Sequence, residues 1–295
     1  MSREYLPRAY QPLMENHILE HDRCALWVPM GMGKSVATGT ALDTLMMAGE
    51  TAPILIGAPL RVARSTWPDE FKKWDHLKHH EVVPIVGSLE ERIRALSIDA
   101  PVYSVNYENI EWLITYLGDR WPFETFIADE STKLKSLRIS EQTSKLGKKF
   151  FKGQGGKRAK ALGMIAHTKI KRFIELTGTF ASNGLMDTWG QMWFLDKGAR
   201  LGHNITAFKE RWFRKAQDGW GVEAMPHAQE EIQGLIKDIV LALDVKDWFD
   251  IKEPIVNDVW VDLAPSARAP YREMEKNFFL KIENHEIEAF NAGSK

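Results

Sequence analysis

The chain has 295 residues, enough for one large domain or two smaller ones. Its 44% hydrophobic and 27% charged content is that of a folded globular protein, and a net charge of −1 excludes a global field that would draw it to nucleic acid. A single cysteine, Cys24, excludes an internal disulfide and fits a reducing cytoplasm, while no secretory leader or membrane-spanning apolar run is expected.

Residues 12–20 predict a short helix after Tyr10 and Gln11. The Gln11 amide offers a donor and an acceptor that suit an adenine edge, but alone it reads as a solvated surface residue. Residues 24–28 are a short apolar run that predicts a buried strand, and residues 36–47, rich in Ala, Leu and Met, predict a helix. Between them lies Pro29-Met30-Gly31-Met32-Gly33-Lys34-Ser35. Strand, glycine loop and helix with Gly-Lys-Ser at the junction is the build of a phosphate-binding loop. The glycines let successive N–H groups face one anion, and the helix N-terminus adds its own donors. Lys34 would reach the β- and γ-phosphates, and Ser35 would hold Mg²⁺. The strict pattern wants glycine where Val28 stands.

Residues 51–60 predict a buried strand between two prolines, and residues 61–74 a helix that Pro68 interrupts early. His76, His79 and His80 follow closely, but with no cysteine or second cluster nearby they read as a polar surface turn rather than a metal site. Further strands are expected at 81–86, 101–105, 123–128 and 172–176, and helices at 88–96, with Ser88 as N-cap, and 108–117. The alternation argues a mostly parallel sheet with helices on both faces. Such sheets gather ligands at the carboxyl ends of their strands. Gly31 to Ser35, Asp129-Glu130 and Thr177-Gly178-Thr179 all follow strand ends. Asp129 would hold Mg²⁺, and Glu130 would orient and deprotonate an attacking water. After residue 200 the pattern changes: helices are expected at 207–213 and 227–240, an alternating run at 253–262, and a mostly helical, charged end from 266.

Several motifs in order resemble the first motor lobe of a superfamily-2 helicase-like ATPase of the SWI/SNF type, in particular the short versions that bacteriophages encode. Leu6-Pro7-Arg8-Ala9-Tyr10-Gln11 resembles its adenine-reading motif, and Met30-Gly31-Met32-Gly33-Lys34-Ser35 its phosphate loop, which also lacks the first glycine. Ala58-Pro59-Leu60 with Trp67, Glu70, Phe71 and Trp74 resembles motif Ia, and Asn106-Tyr107-Glu108 motif Ib. Asp129-Glu130 stands at motif II, and Leu176-Thr177-Gly178-Thr179 with Asn183-Gly184-Leu185 and Trp189 at motif III. The resemblance covers roughly residues 5–200 and, weakly, 245–275.

The resemblance implies an α/β, RecA-like P-loop fold over residues 1–200 and a helical C-terminal extension over 201–295. It implies ATP and Mg²⁺ as cofactors, with Gln11 and residues Met30 to Ser35 binding the nucleotide. It implies DNA, most simply duplex, as partner through backbone contacts from Arg61, Asn106 and Tyr107, with Thr177, Gly178 and Thr179 coupling the sites. Thr132 replaces the family's usual His, so coupling is expected to differ. Nothing after residue 200 repeats a strand-rich lobe, so the second lobe and its arginine fingers are expected in cis or trans elsewhere, and hydrolysis by this chain alone is expected to be weak.

From Lys133 to Arg172 there are thirteen Lys or Arg against one acidic residue, Glu141. Basic residues interleaved with aromatics and glycines suit a nucleic-acid backbone, with Lys148, Lys149, Lys157 and Arg158 as candidates. Two other readings stay open: a P-loop kinase or small-molecule ATPase, and an ATP-responsive nucleic-acid-binding accessory module.

Overall fold

The computed structural model describes residues 2–143, 149–178, 184–215, 221–250, 262–264, 266–268, 271–272, 279–282 and 285–288. They fall in two compact units, Met1–Asp250 and Ile251–Lys295. In chain order the first unit contains α1 (Gln11–Glu20), β1 (Arg23–Trp27), α2 (Lys34–Met47), β2 (Ile54–Ala58), α3 (Trp67–Lys73), β3 (Val82–Ile85), α4 (Leu89–Leu96), β4 (Val102–Asn106), α5 (Ile110–Leu117) and β5 (Thr125–Asp129). It continues with β6 (Arg138–Thr143), β7 (Lys149–Gln154), α6 (Lys157–Ile165), β8 (Arg172–Thr177), α7 (Met186–Asp196), α8 (Ile205–Trp212), β9 (Phe213–Lys215), β10 (Val222–Ala224), α9 (Ala228–Ile236) and β11 (Val240–Ala242).

Seven of these strands form one sheet in the order β11-β1-β8-β5-β2-β4-β3, every neighbouring pair parallel. Both faces are covered, which is why the strands read as near-continuous apolar runs. Cys24, Leu26 and Val28 point into a core shared with Met14 and Ile18 of α1, Leu42 of α2 and Phe71 of α3. Ala25 and Trp27 point the other way, into a core with Leu113 of α5, Leu162 of α6 and Trp189 of α7. This is the expected α/β architecture, with helices on both faces.

Local chemistry sets the ends of the elements. Ser88 caps α4 through a reciprocal box: its hydroxyl accepts from Glu91 N at 3.3 Å while its own N–H donates to Glu91 Oε2 at 2.6 Å. Pro68 does not break the helix after β2. It follows a π-helical turn over Val62–Thr66, near the start of α3, and the helical backbone continues through it.

Two expectations change. The boundary at residue 200 falls inside the first unit, because β11 pairs in register with β1, Ala25 against Val240, and completes the sheet. Residues 201–250 carry α8 and α9 but also this strand and the β9–β10 hairpin, so the segment is mixed rather than helical. In the end read as mostly helical, β12 (Phe279–Ile282) and β13 (His285–Glu288) pair antiparallel. Most of the alternating run at 253–262 lies outside the described residues.

Candidate functional site

The loop after β1 turns on two left-handed glycines, Gly31 at φ 84° and Gly33 at φ 76°. Gly33 is the N-cap of α2, so Lys34 and Ser35 open that helix and its unpaired N–H groups face the loop. Gly33 also has no room for a side chain: a Cβ there would lie 2.3 Å from Gln11 Nε2. Gln11 is therefore no solvated surface residue. It is 6% exposed, its Oε1 accepts from Arg8 N at 2.7 Å, and its amide nitrogen rests on the phosphate loop. Met30 at the loop's tip is exposed, while Met32 is buried. The Lys34 ammonium donates to the Val28 carbonyl at 2.6 Å and the Pro29 carbonyl at 3.1 Å. Burial lowers its pKa, and Asp129 and Glu130 oppose that shift.

β5 lies two strands from β1 and delivers Asp129 at its carboxyl end. The carboxylate Oδ2 accepts from the Trp67 indole N–H at 2.8 Å, and the Asp129 carbonyl accepts from the Tyr107 hydroxyl at 2.9 Å. Burial raises the Asp129 pKa, and the Trp67 hydrogen bond and then Lys34 pull it back. Glu130 follows in the left-handed region at φ 63°, ψ 58°. Its Oε1 accepts from Thr132 Oγ1 at 2.9 Å and its carbonyl from Lys133 N at 2.9 Å.

β8 sits between β1 and β5 and brings the third segment. The Thr177 carbonyl accepts from Val28 N at 2.9 Å, and Gly178 lies against Met30, with its Cβ position 3.6 Å from Met30 N. The three expected clusters thus meet at one edge of the sheet. Thr179 and Asn183 lie outside the described residues.

The expected nucleic-acid residues divide. Arg61 is exposed just past β2, and Lys157 is exposed at the start of α6. Arg158 donates to Glu108 Oε1 at 3.1 Å and to the Lys133 carbonyl at 3.2 Å, which ties α6 to the segments after β4 and β5. Asn106 and Tyr107 are corrected. Asn106 is 6% exposed, with its amide bonded to Glu108 and Asn109, and Tyr107 is 1% exposed and spent on the Asp129 carbonyl. Both are placed to hold the acidic turn rather than to touch a duplex. Lys148 lies outside the described residues, as does the side chain of Lys149. The basic run is also less free than its count suggests. Lys135 pairs with Asp187, Lys169 with Asp119 and Lys171 with Glu124, and Arg172 is buried against Asp22 and Glu50.

Sequence reasoning missed Trp67 as a partner of Asp129, since neighbours separated by 62 positions leave no local signal. It also missed Glu175 on β8. This carboxyl is fully buried with neither oxygen hydrogen-bonded, and burial holds its pKa well above the carboxylate range.

No family model matches the chain. Over 297 aligned positions it is 49% identical to protein p41 of Acyrthosiphon pisum secondary endosymbiont phage 1, covering 99% of this chain and 62% of p41. Among solved structures it is similar to the Sulfolobus solfataricus SWI2/SNF2 ATPase core in complex with dsDNA, with a TM-score of 0.61 and 21% identity over 93% of this chain and 53% of that one. The SWI2/SNF2 ATPase core domain of the same organism gives 0.58 and 20% over 94% and 52%. The fold is that of an SWI2/SNF2 ATPase core. The chain spans about half the length of those cores. The resemblance carried by the motifs is borne out in the fold. Among the described residues, no helix is long and apolar enough to cross a membrane.

Proposed function

We propose that the chain is the nucleotide-binding lobe of a DNA-dependent ATPase motor of the SWI/SNF type. The observation that carries this is the convergence of the phosphate loop, Asp129-Glu130 and Thr177-Gly178 on the carboxyl ends of three adjacent strands, β1, β8 and β5. A kinase acting on a small hydroxyl needs the loop but not a water-directed carboxylate beside it.

The donor set fits a divalent ion carried with a triphosphate. Ser35 offers a hydroxyl one residue past Lys34, and Asp129 offers a half-buried carboxylate whose Oδ2 accepts from the Trp67 indole N–H. Bound magnesium would neutralise phosphate charge there. The loop N–H groups grip the phosphates, and Lys34 moves off its two carbonyls to reach the β- and γ-oxygens. Glu130, aimed by Thr132, takes the proton of the attacking water. Gln11 reads the base edge from its seat on Gly33. The duplex runs past Arg61, Lys133, Lys157 and Arg158 and is held through its phosphates.

A further lobe is proposed to complete the catalytic set, because an arginine finger supplies about 10³–10⁵ in turnover. The test is nucleotide binding and ATP turnover by the chain with and without duplex DNA, and with Lys34→Ala. Nucleotide binding lost in Lys34→Ala, with weak turnover that duplex raises, is expected. Binding unaffected by Lys34→Ala would overturn the reading. Tight binding that DNA leaves untouched would favour a small-molecule ATPase, and DNA binding without turnover an accessory module.

A further inference from the structure

The sequence makes His76, His79 and His80 a polar turn because nothing nearby completes a ligand set. The fold supplies the missing ligand. Helix α2 and the turn after α3 meet at Gly39, where a Cβ would lie 2.8 Å from Leu77 Cδ1. This close approach brings Asp43, one turn further along α2, onto the histidines. Asp43 is 6% exposed. Its Oδ1 lies 2.7 Å from His80 Nε2 and 3.6 Å from His79 Nε2. The two imidazoles are held close, with ring centroids 3.9 Å apart at an interplanar angle of 43°. The three donor atoms all lie within 4.8 Å of one another.

We propose that Asp43, His79 and His80 form a binding site for a divalent transition metal, Zn²⁺ by chemical class. Ligand atoms on a tetrahedral zinc stand roughly 3.3 Å apart for bonds of about 2.0–2.1 Å, and the two nitrogen–oxygen distances bracket that spacing. The 3.6 Å separation is too long for a hydrogen bond, so hydrogen bonding alone leaves His79 unexplained. Two imidazoles and one carboxylate suit zinc, cobalt or nickel over magnesium or calcium. His80 is largely buried and His79 is 60% exposed, so the fourth position opens to water on the His79 side. His76 does not converge: its Nε2 bonds Thr40 Oγ1 at 2.9 Å, and its ring stacks on Tyr5. The site is separate from the phosphate loop, because the nine helical steps from Lys34 to Asp43 span about 14 Å. A metal here clips the helix that carries Lys34 and Ser35 to the turn leading into β3.

The test uses the full chain, stripped with a chelator and titrated with Co²⁺ and then Zn²⁺ while visible absorption and calorimetry are followed. One Co²⁺ with tetrahedral absorption bands, displaced by Zn²⁺ and unaffected by excess Mg²⁺, is expected. His79→Ala is at an exposed position and should fold normally yet weaken Zn²⁺ at least about tenfold, and Asp43→Asn should do the same. His21→Ala serves as control, because His17 and His21 form another close histidine pair among the described residues, with centroids 4.4 Å apart. No saturable metal binding, binding that His79→Ala leaves unchanged, or binding that His21→Ala removes would each overturn the proposal.

Discussion

Trp67→Phe probes the acidic turn without touching a proposed ligand. The indole N–H donates to Asp129 Oδ2 at 2.8 Å; Trp67 is fully buried and Asp129 half-buried. Phenylalanine keeps most of the packing and removes the donor. A hydrogen bond to a charged group contributes about 1.5–3 kcal/mol. At about 1.4 kcal/mol per pH unit, its loss should move the Asp129 proton equilibrium up by about one to two units. The sign is fixed by the native state. Burial already raises this carboxyl, so it binds a proton more readily folded than unfolded, and folding stability falls as pH rises through that window. Removing the donor carries the window's upper edge higher. The metal-binding form is the ionised one, so Mg²⁺-dependent nucleotide binding should fail at a higher pH in the variant. The assay is titration of a fluorescent ATP analogue with and without Mg²⁺ across pH, in wild type and Trp67→Phe. A Mg²⁺-dependent midpoint that stays put in a folded variant would refute the reasoning. So would an equal shift without Mg²⁺.

Gly33→Ala forces a side chain into the left-handed region, at about 1–2 kcal/mol, and into Gln11. Nucleotide affinity should fall at least about tenfold by the same titration while the circular dichroism spectrum stays native. Glu175→Leu removes a carboxyl whose native pKa is raised by burial. The wild-type protein loses stability as pH rises through the window above the ordinary carboxylate range, by about 1.4 kcal/mol per unit, so the variant's gain in urea unfolding should grow with pH; a gain independent of pH refutes this. Replacing Lys157 and Arg158 with Ala should weaken duplex binding for all sequences alike and reduce the salt slope by about two. Lys169→Ala and Lys171→Ala, which remove partners of Asp119 and Glu124, should leave both quantities unchanged.

Much of the sheet was legible because parallel strands buried on both faces are written as short apolar runs. The phosphate loop was legible because its glycines and lysine are contiguous. What escaped notice depends on contacts between distant segments. The three-residue β11 carries too short a run to separate from the helix before it, so residues 227–240 read as one helix. Within the basic segment, Arg138–Thr143 and Lys149–Gln154 pair antiparallel in a register that no local turn signal announces. Charge counting overstated the free cations there because their carboxylate partners lie up to 150 positions away, as Asp22 does from Arg172. Asn106 and Tyr107 were assigned to DNA by the motif they match. Their burial is a property of the fold, which turns both side chains inward beneath Asp129 and Glu108.

The turn at Glu130 connects these observations. A left-handed glutamate is strained by about 1–3 kcal/mol, and such a conformation persists only where its surroundings hold it. Here two restraints are local, Thr132 Oγ1 on the carboxylate and Lys133 N on the carbonyl, and a third comes from the segment after β4, where the Tyr107 hydroxyl donates to the preceding carbonyl. Thr132 is the residue at which the sequence departs from the family pattern, and its hydroxyl aims the proposed base from two residues away. The carboxylate of Glu130 is thus bonded within its own turn, by Thr132. DNA stimulation, if it reaches this site, must act through the segments that touch the loop and the turn from outside: Gly178 against Met30, and Arg158 through the Lys133 carbonyl.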